Sequence, residues 1–238
     1  MRPGPRRSLT HAEILDAAFE LLEAKGFDAV SVRGVAGALG LTPTAMYTYY
    51  PSKQALLAGM VEQVLGRLDV GVEPADAAAG APAPADSARV RVLALATGLR
   101  DLLVDRPGAV GLLLATPLRG PNATRLDEAL LAAFTGAGLD LAGAARAAHA
   151  VRVHVLGAVA FDAAEAGRAA GAETAPDAQS ATSDTLWDDL ASFRLSDRSR
   201  ALDDDPAGRF AWGLERLLDG LLAASTSGAS ASASVSAR

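Results

Sequence analysis

Between Ser31 and Lys53 the chain carries two cations, Arg33 and Lys53, all three of its tyrosines, Tyr47, Tyr49 and Tyr50, and no carboxylate. Residues 1–53 hold six Lys/Arg against five Asp/Glu, and residues 54–238 hold sixteen against twenty-three, so a net charge of -6 hides a small basic head on an acidic body. That asymmetry fits contact with a nucleic acid by one end, although an ordinary solvated terminus has the same charge pattern. Catalytic side chains are few. The histidines are His11, His149 and His154, and there is no cysteine, which excludes thiolate nucleophiles and thiolate metal sites. His149 and His154 lie five apart, about 140° around a helix at 100° per residue, a poor arrangement for sharing a metal. Asp203, Asp204 and Asp205 adjoin one another with no histidine beside them and read as a solvated loop. No G-x-S-x-G, Walker A, dinucleotide-binding or H-E-x-x-H pattern occurs, so no enzyme, cofactor or metal is expected.

The elements that would position the basic segment are marked by their caps. Thr10 followed by Glu13 forms a capping box, with Leu9 placed to staple against Ile14; the helix should run to about Lys25 with Gly26 as its stop. Ser31 caps a short helix that ends at Gly40, Thr42 caps another with Pro43 in its first turn, and Ser52 caps a longer one. Two short helices joined by Gly40-Leu41-Thr42 after a longer one form a helix-turn-helix pattern. Ala36, Leu39, Met46 and Tyr50 can close its small core and leave residues 43–49 free to enter a major groove. Tyr50 is expected to pack inward and Tyr49 outward.

Of 238 residues, 50% are hydrophobic but only 5% aromatic, and 54 are alanine. Small apolar side chains suit closely packed helices rather than a sandwich or barrel, so the fold expected is all-α. Beyond a Gly/Pro/Ala-rich linker at 71–85, helices are expected at about 88–104, 108–116, 123–136 and 141–166. Residues 167–185 read as a loop, 186–193 as a short helix, and a last helix carries Phe210, Leu214, Leu217, Leu218 and Leu221 at helical spacing. The division expected is a helix-turn-helix domain at 1–54, a larger helical domain at 55–224 and a Ser/Ala tail without structure at 225–238. With neither a signal peptide nor a run of about 18 apolar residues, the chain reads as soluble and cytoplasmic, without a membrane partner.

The stretch "ILDAAFELLEAKGFDAVSVRGVAGALGLTPTAMYTYYPSKQALL" at 14–57 resembles the DNA-binding head of the TetR/AcrR family of bacterial transcriptional regulators. "LRGPNATRLDEALLAAFTGAGLDLAGAARAAHAVRVHVLGAVAFDAAE" at 118–165 and "RFAWGLERLLDGL" at 209–221 are similar, more weakly, to the ligand-binding and dimerisation domain of its tetracycline-repressor subgroup. The resemblance implies that Arg33, Thr44 and Tyr47 reach base edges while Thr42, Thr48, Tyr49 and Lys53 hold phosphates. The chemistry suits those roles: a guanidinium can pair bidentately with guanine, a threonine methyl can meet thymine, and Lys53 sits in the first turn of its helix. Pro43 stands where the subgroup reads a base with glutamine, so the operator should differ.

For the body the resemblance implies a pocket for a small-molecule effector and a homodimer on a palindromic double-stranded DNA operator. The pocket expected is apolar, lined by Leu99, Leu103, Leu112, Leu113, Thr116 and Phe161, with Asn122, His149, His154 and Trp187 as polar or aromatic contacts. Leu112 and Phe161 fall where the subgroup presents a metal-binding histidine and the glutamate behind it, so the effector expected is hydrophobic or aromatic and needs no metal. The apolar faces of 141–166 and of the last helix exceed what one subunit needs, which points to a homodimer, and the resemblance implies that two such helices per subunit form a four-helix interface. The function expected is that of a ligand-responsive regulator, most readily a repressor; the alternatives are a helical interaction scaffold or an enzyme that kept a vestigial helix-turn-helix.

Overall fold

The computed structural model describes residues 9–71, 85–174, 195 and 205–235, and among these it contains helices and no strand. In chain order they are α1 (His11–Lys25), a 3-10 turn (Phe27–Ala29), α2 (Val32–Ala38), α3 (Pro43–Tyr47), α4 (Lys53–Leu65), α5 (Ala85–Val104), α6 (Gly108–Ala115), α7 (Pro121–Gly136), α8 (Leu141–Thr174) and α9 (Pro206–Val235). The all-α expectation holds. Two compact units emerge from the packing, Met1–Ala79 with Thr97–Ala132, and Gly80–Ala96 with Ala133–Arg238. This grouping cuts α5 and α7.

In the first unit α1 to α4 start where their caps predict. Thr10 Oγ1 accepts from the Glu13 N–H at 3.2 Å and Glu13 Oε2 accepts from the Thr10 N–H at 2.8 Å, which satisfies two of the donors that a helix start leaves orphaned. Ser31, Thr42 and Ser52 accept from the N–H groups of Gly34, Ala45 and Ala55 at 3.0, 3.3 and 3.1 Å. Gly40, at φ +65°, lets the Leu41 N–H reach back to the Ala36 carbonyl at 2.8 Å and turns the chain from α2 into α3. One side of α1, Ile14, Ala18, Phe19 and Leu22, is buried together with Val30, Val35, Ala36, Met46, Leu56 and Met60. Leu39, expected in that core, is only half-buried. α4 packs on α1 and on α6. Arg106 stands over the Phe19 ring at 4.7 Å.

In the second unit α8 and α9 pack on each other. α8 buries Ala144, Ala148, Val151, Val155 and Val159, and α9 buries Phe210, Leu214, Leu218 and Leu222, the i, i+4 stripes of two amphipathic helices. His154 Nε2 donates to the Phe210 carbonyl at 3.1 Å and its ring stacks on Phe210 at 5.2 Å. Gly213 permits this approach, because a Cβ there would lie 2.7 Å from His154 Cε1. Arg209 bridges Asp162 and Glu165 at 3.3 and 3.2 Å, and Arg89 pairs with Asp219 at 2.6 Å.

The helices of this unit run longer than the sequence predicts. α8 continues to Thr174, through residues 167–174 of the expected loop, and α9 continues to Val235 into the expected structureless tail. The reason is cooperative: once a helix is nucleated, each further residue adds a backbone hydrogen bond without a new nucleation cost. The helix expected at 186–193, and Trp187 within it, lie outside the described residues.

Candidate nucleic-acid interface

α3 has five residues, too few to be helical alone, since an isolated helix needs about 12–15 residues even in favourable sequences. It is held by what it buries. Met46 is fully buried and Tyr50, just beyond the helix, is 7% exposed. Tyr50 lies so close to α4 that a Cβ on Gly59 would come within 2.9 Å of its ring. Burial pushes the Tyr50 phenol above its ordinary value of 10.0. Pro43 opens α3 at a position where no N–H is needed.

With Met46 and Tyr50 turned inward, the other face of the element is left to solvent. Arg33 on α2, Thr42, Pro43, Thr44, Tyr47, Thr48 and Lys53 are all exposed, Tyr47 by 44%. Tyr49 is half-buried. The cap hydroxyl of Thr42 accepts from Ala45 and keeps its own proton for an outside acceptor. Thr48 is different: its hydroxyl donates to the Ala45 carbonyl at 2.6 Å, so donating to a phosphate requires that bond to turn away. Lys53 Nζ stands 5.1 Å above the ring of Phe27, a cation–π contact that aims the ammonium from the first turn of α4.

His11, which carries no role in the sequence reading, meets Tyr49 and Tyr50 edge-on, with ring centroids 5.6 and 5.2 Å apart. The sequence signal was thin, a lone histidine at the first position of α1. It joins the start of α1 to the tyrosine pair just beyond α3.

The residues expected to bind an effector divide between the two units. In the first, Leu99, Leu103, Leu112 and Leu113 are buried, Leu103 and Leu112 fully. Thr116 is 8% exposed, and its Oγ1 has no hydrogen-bond partner among the described residues. Asn122 is already engaged, its amide donating to the Glu62 carbonyl at 2.9 Å. In the second unit His149 is exposed, His154 is bonded to Phe210, and Phe161 stands 72% exposed rather than enclosed. No group of three or more His, Asp or Glu side chains among the described residues is placed to hold a metal ion. No helix among them is long and apolar enough to cross a membrane.

The family model for bacterial regulatory proteins of the tetR family matches residues 14–60, and that for the tetracyclin repressor-like C-terminal domain matches residues 81–225. An HTH-type transcriptional regulator of Saccharopolyspora erythraea is 33% identical over 151 residues, 63% of this chain and 60% of the relative. The alignment thus spans three-fifths of that relative's length. The HTH-type transcriptional repressor DrrR1 of Streptomyces coeruleorubidus is 30% identical over 224 residues, 92% of this chain and 79% of DrrR1. Among solved structures, Mycobacterium smegmatis BioQ superposes with a TM-score of 0.63 at 25% identity, covering 91% of this chain and 99% of BioQ.

Proposed function

Because this chain belongs to the tetR family of bacterial regulatory proteins, we propose that it is a cytoplasmic repressor that binds a palindromic operator as a homodimer and is released by a small hydrophobic or aromatic effector. The observation that carries this reading is the exposed, carboxylate-free face around α3. There Arg33, Thr44 and Tyr47 read base edges, while Thr42, Thr48, Tyr49 and Lys53 position the protein on phosphates. Five residues are too few to reach a groove unsupported, and Met46 and Tyr50 supply the support.

The dimer is supported by α8 and α9, which leave Val153, Phe161 and Trp212 exposed by 54, 72 and 69%. A second copy covering these side chains would recover about 1.5–3 kcal/mol for each large one. Two-fold symmetry would set the two reading helices about 34–36 Å apart, one turn of the duplex. The effector's character is supported by the apolar side chains of Leu99, Leu103, Leu112 and Leu113, which an effector would have to part, and by the buried Thr116 hydroxyl, whose oxygen has no hydrogen-bond partner among the described residues.

The test is a gel shift with duplex DNA from upstream of the protein's own coding sequence. Selective, salt-sensitive retardation is the expected result. Affinity no better than for unrelated duplex at every salt concentration would overturn the reading.

A further inference from the structure

α4 is tied sideways to the start of α7. Glu62 Oε2 accepts from the Asn122 N–H at 2.7 Å and Oε1 from the Ala123 N–H at 3.2 Å, while the Asn122 side-chain amide donates back to the Glu62 carbonyl at 2.9 Å. A carboxylate on the free N–H groups of a helix start is a charge-assisted cap, and the helix dipole strengthens it. Glycine makes room on both sides. A Cβ on Gly66 would lie 2.9 Å from the Asn122 amide nitrogen, and one on Gly120 would overlap the Glu62 carboxylate. A cap normally comes from a residue next to its helix; this one comes from 60 residues away in sequence, so it joins two distant stretches of chain.

One turn earlier on the same helix, Gly59 receives the ring of Tyr50. Tyr50 and Met46 are the side chains that hold α3 in place. A continuous line of contacts therefore runs from the start of α7 through Glu62, along α4 to Gly59, and through Tyr50 to the exposed face of α3. α4 is also the helix whose first turn carries Lys53.

We propose that Glu62 is a positioning residue for operator binding: by clamping α4 to the start of α7 it fixes α4, Tyr50 and the reading face in one arrangement. The inference rests on the reading that α3 contacts DNA. Releasing the clamp lets α4 take up other positions, which lowers the fraction of molecules competent to read the operator and lowers apparent affinity in proportion. Generic attraction to phosphates, which needs only Lys53 and its neighbours, is retained.

The experiment compares the full-length protein with Glu62→Ala, Glu62→Gln and Gly120→Ala, by amide hydrogen exchange without DNA and by binding to operator and unrelated duplex. The Gly120 variant pushes the carboxylate away without removing it, and so guards against a folding defect peculiar to Glu62→Ala. Exchange is expected to rise at Asn122 and Ala123 and also at Met46–Tyr50 and along α4. Operator affinity should fall about tenfold, within the roughly 5–150-fold span of couplings between sites, with affinity for unrelated duplex unchanged. Glu62→Gln, which keeps one acceptor, should fall between. Faster exchange confined to Asn122 and Ala123 would show a merely local cap and overturn the inference, as would an equal drop in affinity for both duplexes. A wild-type protein that does not prefer its operator would sink the proposed function instead, and the exchange pattern would still decide the clamp.

Discussion

The ammonium of Lys53 stands 5.1 Å above the ring of Phe27, at the first residue of α4. The ring orders a long side chain that would otherwise be free, and ordering is part of what holding a phosphate costs. Lys53→Ala is expected to weaken binding to every duplex alike and to lower the salt dependence by about 0.9 for each phosphate that a subunit no longer neutralises. Phe27→Leu, which keeps the charge and removes the ring face, should weaken binding less and leave the slope nearly unchanged. Fluorescence anisotropy across a salt series measures both; a Lys53→Ala protein with altered base preference would contradict the assignment.

Arg33 and Tyr47 belong to the other class. Arg33 on α2 and Tyr47 on α3 are both exposed, and alanine at either should relax selectivity by about 1–3 kcal/mol per half-site with little change in salt dependence. Competition between operator variants separates this from a uniform weakening. If Tyr47→Ala discriminated as well as the wild type, the register assumed for α3 would be wrong.

Phe161 and Trp212 are large, apolar and mostly solvent-exposed in one subunit. Sedimentation at micromolar concentration is expected to give twice the 24.2 kDa chain mass. Phe161→Asp, which places a charge where a second copy would pack, should shift the protein toward monomer and weaken operator binding with it. A wild-type monomer at that concentration would refute the dimer.

Tyr50 titrates above its ordinary value because burial disfavours the phenolate. The unfolded chain would release this proton near pH 10.0, before the folded one does. Unfolding therefore loses protons in that window, and stability, complete below it, declines as pH rises toward the folded value. Tyr50→Phe should leave neutral-pH stability within about 1 kcal/mol of wild type and remove this part of the alkaline decline. Urea unfolding at pH 7 and above pH 10 tests it; an unchanged alkaline slope in the variant would assign the decline to other groups.

Leu112, proposed for the effector site, has only carbon to offer a cation. Tetracycline with magnesium is accordingly expected to leave the operator gel shift intact. Disappearance of the complex at micromolar drug, reversed by a chelator, would disprove a metal-independent effector.

What the sequence made legible is what is decided locally. The caps at Thr10, Ser31, Thr42 and Ser52 need only the next three residues, and the inward turn of Tyr50 follows from its four-residue spacing to Met46. Contacts made across long stretches of chain were not legible. Glu62 reads as one more charge on α4, and its clamp on Asn122 depends on two glycines that leave room only once the helices are packed. His154 likewise shows its tie to Phe210 only when α9 is laid on α8. α8 and α9 run past the ranges that hydrophobic spacing marks because residues without that spacing, 167–174 in α8 and the Ser/Ala tract in α9, can prolong a helix that they cannot start.

The shortness of α3 bears on how such a protein diverges. A five-residue element has room for one fully buried anchor, Met46, and places Pro43, Thr44 and Tyr47 in solvent. Substitutions at those three positions leave the core intact, so a duplicated gene can drift to a new operator in single steps, each yielding a folded protein. Met46 and Tyr50 have no such freedom, and descendants that recognise unrelated operators should still share them.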